Sequence, residues 1–509
     1  MTATPSARPI ALRGRGLLAL LAFLYLFPFP YFPILRSPNE GSRLYQVRAI
    51  VDDGTLSVNG PLARFGPMGD LAEADGRYYP NKAPGISFLG AAVYAAAKAL
   101  VLWRADRVSN EVLLWLLRAT CCALPTLLLL AALRAKILAW TDSEEAADVT
   151  ILAYGLGSLA YTYGLLFFSH QLCAALLAGA FLALETAREE DRLAPAAWAG
   201  AMAGGAVLVE YTAALAALPL GLYALFAMRR KLASALSFGL ASLPPQIALL
   251  FYHRIAYGGF FDLGYRHNVN RQFQAWHDQG FMGVTTPTLR GLAGSFFSPA
   301  RGLFVFSPFL ILGVAGIALL WRRRRAPAIV LAVLLGLYSL FTASFIYEAW
   351  GWTVGPRHLA PLAAFLALPA GVAYARARGA GAAWEGLATG AALLSMLVTG
   401  LATATYPHYP EVFTNGFSQL TLPLLRGGYL PRTALGLFAG LSPWSWILYF
   451  AAFAAVLFRV LRASSGRGAR LAAAGTAALG LVLLASLGPA AGPAQEQELA
   501  WVERTYRAP

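Results

Sequence analysis

The chain has 509 residues, a mean hydropathy of +0.57 and only 13% charged residues. An ordinary soluble protein carries about 25%, which excludes a soluble enzyme, a disordered tail protein and a disulfide scaffold. What remains is a polytopic membrane protein. Its net charge of +15 is therefore weighed as a topology signal before any nucleic-acid partner is considered. Cys121, Cys122 and Cys173 lie inside apolar runs, with no CxxC and no histidine at metal-ligand spacing, and read as small buried hydrophobes.

The first apolar run follows Arg8, Arg13 and Arg15 and ends in the aromatic and proline stretch 27–33. It is long and lacks an A-x-A site, so it reads as an uncleaved span rather than a signal peptide. Apolar windows of roughly 20 residues then follow one another. They lie near 16–35, 110–133, 149–168, 170–187, 196–209, 212–228, 233–252, 303–321, 327–345, 359–375, 386–405, 436–458 and 471–488. The expected fold is all-α and polytopic, with about 13 transmembrane helices. The segment 196–228 reads either as one long helix or as two short ones around Glu210-Tyr211.

Charge sets the orientation. With residues 1–15 cytoplasmic and 84–103 not crossing, one side receives Arg134/Lys136, Arg188/Arg192, Arg229-Arg230-Lys231, Arg322 to Arg325, Arg376/Arg378 and the cluster from Arg459 to Arg470. Every short loop on that side is basic, as the positive-inside rule expects. Were 84–103 to span, each later loop would invert, so it reads as an interfacial helix on the outer face. The expected organisation is a first span at 16–35, a large extracytoplasmic loop with interfacial helices at 36–109, and spans two to seven over 110–252. An outer loop 253–302 follows, then spans eight to thirteen over 303–488 with outer loops 346–358 and 406–435, and an extracytoplasmic tail 489–509.

The first outer loop carries the chemistry. Asn39-Glu40-Gly41-Ser42-Arg43-Leu44-Tyr45 follows the first span and runs on to Asp52-Asp53-Gly54. Asp75-Gly76-Arg77-Tyr78-Tyr79-Pro80-Asn81-Lys82-Ala83-Pro84-Gly85 comes next. A carboxylate at a helix exit in the interface sits where a lipid-linked and a water-borne substrate meet, and can take a proton from an attacking hydroxyl. A lysine held before a proline turn can neutralise a phosphate leaving group. His170, Glu210, Arg357 and His358 fall on the same outer side, and ionisable groups at membrane depth are costly unless they face water, a partner or a site.

At these residues the sequence resembles the bacterial GT-C glycosyltransferases, the multi-span enzymes that use polyprenyl-phosphate sugars, among them the aminoarabinose transferase of lipid A, the protein O-mannosyltransferases and the RgtA-type lipopolysaccharide-core enzymes. Asn39-Glu40, the segment from Arg43 to Asp53-Gly54, and Tyr79-Pro80-Asn81-Lys82-Ala83-Pro84 occupy the family's motif positions in order. Gly355-Pro356-Arg357-His358-Leu359 through Pro361 resembles the family's late Arg-x-Leu-x-Pro segment. The likeness is motif-level over about residues 15–105 and architectural beyond. The family usually has Asp where Asn39 stands, so Glu40 would act alone or with Asp75, and a divalent metal is the only cofactor left open.

The resemblance implies an inner-membrane glycosyltransferase with its site outside. Glu40 would be the general base, with Asp75 as a second catalytic candidate. Lys82, Arg357 and His358 would bind the donor phosphate, with Arg43, Tyr79, His170 and Glu210 as further substrate contacts. The partners would be a polyprenyl-phosphate sugar and a lipid, glycan or protein acceptor, with membrane lipids around them. A flippase of a lipid-linked saccharide would use the same cations without a base, and an envelope scaffold would need neither.

Each residue also has a plainer reading: Glu40 as a partner of Arg43, Lys82 as a snorkelling anchor, Asp52-Asp53-Gly54 as a turn, and Tyr347, Glu348, Trp350 and Trp352 as an interfacial belt. No nucleotide, HExxH or GxSxG motif is present, and no soluble basic patch suits a nucleic acid.

Overall fold

The computed structural model describes residues 12–100, 108–347, 351–441 and 444–507. Arg8, Glu348 and Trp350 lie outside them. Each of the thirteen apolar windows carries helix, and seven helices among the described residues are long and apolar enough to cross a membrane. Four shorter apolar helices add to these: Gly14–Leu26, Gly85–Leu100, Leu193–Val209 and Tyr211–Phe226. The chain is thus a helical, multi-pass membrane protein.

Helix boundaries depart from the apolar windows where the backbone chemistry demands it. The first helix, Leu12–Leu26, stops nine residues short of the expected end at 35. Pro28, Pro30 and Pro33 follow, and a proline offers no N–H to a helix. The freed strand Pro28–Phe29 pairs instead with Arg432–Thr433. The window 149–168 is two pieces, Glu144–Leu156 and Leu159–Gly164, and Ser158 restarts the second by accepting from the Ala160 amide at 3.2 Å. The segment 196–228 is also two helices, because the chain is extended at Glu210 (φ −154°, ψ 121°) between Leu193–Val209 and the turn that opens Tyr211–Phe226.

Two features add to the expected architecture. A hairpin, Leu71–Ala74 with Arg77–Pro80, and the short pairing at Pro28 are small additions to a protein that is otherwise all-α, as expected. The tail 489–509, read as an outer segment, contains the helix Pro493–Arg507, which docks through Tyr506 Oη to the Thr405 carbonyl (2.8 Å) and Gln495 Nε2 to that of Val412 (2.9 Å).

Packing relies on small residues, as expected where lipid tails compete equally for apolar surface. Leu193–Val209 lies along Lys231–Tyr257 with Gly200 and Gly204 one turn apart at the contact. A Cβ at Gly204 would fall 2.6 Å from the Ser242 carbonyl oxygen. At the end carrying the basic loops, charges are paired: Arg134 Nε donates to Asp148 at 2.7 Å, Arg459 meets the same carboxylate, and Arg188 pairs with Glu185 at 2.7 Å. Arg324, one of the basic run 322–325, contacts Glu189 at 3.2 Å and lies 4.5 Å over the Trp140 ring.

Gly204→Val should force these two helices apart. Overpacking of this kind costs about 1–3 kcal/mol, to be read as a lower melting temperature of the detergent-purified protein. An unchanged melting temperature would show that the close approach is not needed.

Candidate functional site

The helix Pro38–Asp52 begins with proline at its first position, which suits a site where no N–H is needed. Asn39 and Arg43 are four apart and share a face. Arg43 Nη1 donates to the Asn39 carbonyl at 2.6 Å and also meets its side-chain oxygen, while Nη2 donates to Ser169 Oγ at 3.0 Å. Ser169 Oγ in turn donates to Glu210 Oε2 at 2.6 Å, and His170 Nδ1 lies 3.6 Å from the same oxygen.

Glu40 points elsewhere, since adjacent helical residues diverge by about 100°. Arg118 Nε donates to its Oε1 at 2.8 Å and Nη2 to its Oε2 at 2.6 Å, and the Phe167 amide donates to Oε1 at 2.6 Å. Glu40 is 3% exposed and borders a cleft of about 250 Å³ with Arg36, Asn110, Arg118 and His408. His408 sits on a loop there, and burial pushes its imidazole down to about 4. Glu40 therefore neutralises Arg118, and the general-base role expected of it does not match this placement.

The hairpin explains the next group. Asp75 (φ 49°) and Gly76 (φ 73°) form its tight turn, so Asp75 is exposed at the tip and lines neither cavity. It is a turn residue. Tyr79 is buried against Tyr257, edge to face at 5.7 Å, and supports the hairpin from behind. The Asn81 amide donates to the Asp70 carbonyl at 3.0 Å and closes the hairpin base. That closure sets Lys82 Nζ 3.7 Å from Asp70 Oδ1 and 5.4 Å over the Tyr265 ring. Burial pulls the Lys82 ammonium below the usual lysine value, and the Asp70 carboxylate opposes the shift.

Arg357 and His358 come from the turn Arg357–Leu359 that heads the helix Ala360–Arg378. The His358 ring stands 5.1 Å from that of His170. Arg357 Nε is buried with no hydrogen-bond partner among the described residues.

One cavity of about 1580 Å³ collects these groups: Asn39, Arg43, Asp70, Lys82, His170, Glu210, Tyr265, Arg357 and His358 all line it. From there it runs as an apolar slot between Tyr211–Phe226 and Arg325–Ser344, reaching Phe226 and Ala326 at the far end. Leu218, Leu222, Phe226, Ile329, Val333 and Leu340 on the slot walls are exposed, so it opens sideways. A second wall stacks Trp276 on Tyr347 at 4.5 Å and Tyr265 on His277 at 4.4 Å. Of the expected belt, Tyr347 and Trp352 both line the cavity.

Seven of the expected site residues thus divide into six at the cavity (Arg43, Lys82, His170, Glu210, Arg357, His358) and one, Tyr79, behind it. Asp70 and Arg118 were missed. A charged residue inside an apolar window was the available signal for Arg118; for Asp70 the sequence offers none. The donor set does not fit a divalent metal: Arg118 occupies Glu40, Arg43 occupies Asn39, and a lysine faces Asp70. No cluster of three or more metal-ligating side chains occurs among the described residues.

No protein-family model and no curated protein matches the chain. Among solved structures, ArnT from Cupriavidus metallidurans in the apo state is similar, at 16% identity over 92% of this chain and 75% of that one, with a TM-score of 0.49. Its form bound to undecaprenyl phosphate gives 17% identity, 92% and 76% coverage, and 0.49. The arabinosyltransferase EmbB from Mycobacterium smegmatis gives 13% identity over 95% of this chain and 42% of that one, with 0.45.

Glu40→Ala should leave the Arg118 guanidinium buried without a counter-charge, at a cost of about 3–5 kcal/mol. The double variant Glu40→Ala/Arg118→Met should recover part of that loss in thermal unfolding. A double variant no more stable than Glu40→Ala would argue against the pair as the reason.

Proposed function

We propose that this protein is an integral-membrane glycosyltransferase that moves a monosaccharide from a polyprenyl-phosphate donor to an acceptor hydroxyl, with inversion. The observation that carries this reading is the union of a cationic cluster with a sideways-open apolar slot in one cavity. A polyprenyl phosphate has those two parts: an anionic head and a long apolar tail that stays in the bilayer. Arg43, Lys82 and Arg357 supply the cations at the head end. The slot walls between Leu218 and Phe226 and between Ile329 and Leu340 supply a track for the tail.

In this mechanism the acceptor oxygen attacks the anomeric carbon opposite the phosphate. The carbon–oxygen bond to phosphate breaks, its electron pair leaves with the phosphate, and the charge that develops there is held by Lys82, Arg43 and Arg357. Fixed cations in a water-poor cavity stabilise such charge more than water would. The aromatic wall of Tyr265, Trp276 and Tyr347 borders the same cavity and gives a sugar apolar faces to lie against. The basic loops at the opposite end of the bundle support an extracytoplasmic site in a bacterial inner membrane, with a lipid, glycan or protein as acceptor.

Incubating the purified protein with a panel of undecaprenyl-phosphate monosaccharides should release undecaprenyl phosphate from one of them. Binding without release from any donor would leave a lipid-phosphate binder or flippase and overturn transfer. Lys82→Ala and Arg43→Ala should each weaken undecaprenyl phosphate binding roughly 10- to 150-fold, the worth of a charged hydrogen bond of about 1.5–3 kcal/mol. Unaltered dissociation constants would remove these residues from the phosphate site.

The lowered pKa of Lys82 has a sign that can be tested. The charged form binds phosphate, so affinity should fall as pH rises through a value below that of an ordinary lysine. Lys82→Arg should abolish that alkaline loss. A loss that persists in Lys82→Arg belongs to another group.

A further inference from the structure

Attack by a hydroxyl requires something to take its proton, and neither residue of the Asn39-Glu40 pair at the start of the first loop is placed for it. Position 39 is an amide held by Arg43, and both oxygens of Glu40 are taken by Arg118. Of the remaining carboxylates at the cavity, Asp70 faces the Lys82 ammonium and Glu411 accepts the Tyr347 hydroxyl. Glu210 is different. It is 5% exposed, lines the cavity, and receives one hydrogen bond on Oε2, from Ser169, while no hydrogen bond engages Oε1 among the described residues.

The local backbone explains why it stands there. An extended residue in the middle of an apolar helical stretch turns its side chain out of the helix ladder, and non-helical backbone at membrane depth is tolerated where it lines a cavity. The head of Gly85–Leu100 presses on this break: a Cβ at Gly85 would lie 2.7 Å from the Leu208 carbonyl carbon and oxygen. Only glycine permits that approach, and it brings the Lys82 turn and the Glu210 break to the same cavity. Beside Glu210, His170 Nε2 is buried without a hydrogen-bond partner among the described residues, on a ring that lines the cavity. A buried polar atom of that kind lacks a partner at a cost of about 1–3 kcal/mol, and a hydroxyl of the bound substrates would supply it.

We propose that Glu210 is the general base of the transfer, with Ser169 and His170 as positioning residues that hold its carboxylate toward the acceptor. This assignment rests on the glycosyltransferase reading above. The acceptor O–H gives its proton to Glu210 Oε1 as the oxygen bonds to the anomeric carbon. The electron pair of the breaking bond leaves on the phosphate, and the proton passes to solvent when the product departs. Arg43 ties the two halves together, since its guanidinium lies with the phosphate-binding cations and its Ser169 contact reaches the base.

An anionic nucleophile separates a base from a binding residue, because azide needs no proton removed. The test takes Glu210→Gln with the undecaprenyl-phosphate monosaccharide that the wild-type protein turns over. The variant should bind undecaprenyl phosphate within about threefold of wild type and lose transfer to hydroxyl acceptors by about 100- to 10,000-fold. Sodium azide should restore release of undecaprenyl phosphate, with formation of the glycosyl azide.

Full hydroxyl transfer by Glu210→Gln overturns the assignment, and so does a loss of turnover that azide does not relieve. Should Glu210→Gln fail to fold, Glu210→Asp carries the same test, with wild-type hydroxyl rates and no azide stimulation as the refuting result. A wild-type protein that releases undecaprenyl phosphate from no donor refutes the transferase reading itself, whereas an active Glu210→Gln refutes only the base.

Discussion

Lipid cannot hydrogen-bond a peptide group, so any break in a membrane helix must be satisfied from within the protein. The break at Glu210 is the constraint on which this site depends. The helix before it closes normally, with the Glu210 amide donating to the Ala206 carbonyl at 2.8 Å, and the next turn begins at once with the Ala213 amide on the Glu210 carbonyl at 3.0 Å. The backbone is extended at this one residue, and the side chain is turned out of the helix ladder. That displacement needs a polar reception, which Ser169 and His170 at the head of the helix Ser169–Glu190 provide. It also needs room for the Gly85 backbone on the other side. Three segments far apart in sequence are thus fixed together by one unwound residue.

The net charge of +15 acquires a different meaning once charges are sorted by environment. At the basic end, the buried Asp148 and Glu185 are matched by Arg134, Arg188 and Arg459, as buried charges must be. At the cavity, Arg43, Lys82 and Arg357 act together on a region whose nearby acids are Asp70 and Glu210. A site with cations in excess and little water raises the local concentration of anions. Much of the positive charge lies in the short basic loops, and a small part of it lines the cavity.

The sequence made the helices legible because hydropathy needs only local composition. It located their interruptions less well, since the ends at Leu26 and at 157–158 depend on proline, glycine and capping chemistry. Lys82, Arg357 and Glu210 were legible as polar residues beside turns in an apolar chain. Asp70 was not, because what brings it to Lys82 is the closure of a hairpin. The tail helix Pro493–Arg507 was hidden for a similar reason: its polar composition masks Leu499, Trp501, Val502 and Tyr506, which pack on the segment around Tyr406 and Phe413.

Asn39 and Glu40 show why a motif can be present while its chemistry has moved. On a helix, neighbouring side chains differ by about 100°, so only one of the two can face the cavity. The pair that Glu40 makes with Arg118 fixes the roll of the helix Pro38–Asp52, because a buried charge pair cannot be broken cheaply. With that roll set, Asn39 and Arg43 must face the cavity, and the residue at 39 cannot be a base. An amide there instead offers its oxygens to Arg43, which leaves the other edge of the guanidinium free to reach Ser169. An amide at one end of this chain of contacts is thus linked, through Arg43 and Ser169, to the Glu210 carboxylate at its far end. On the proposed assignment, Glu210 takes the proton and Glu40 orients the helix.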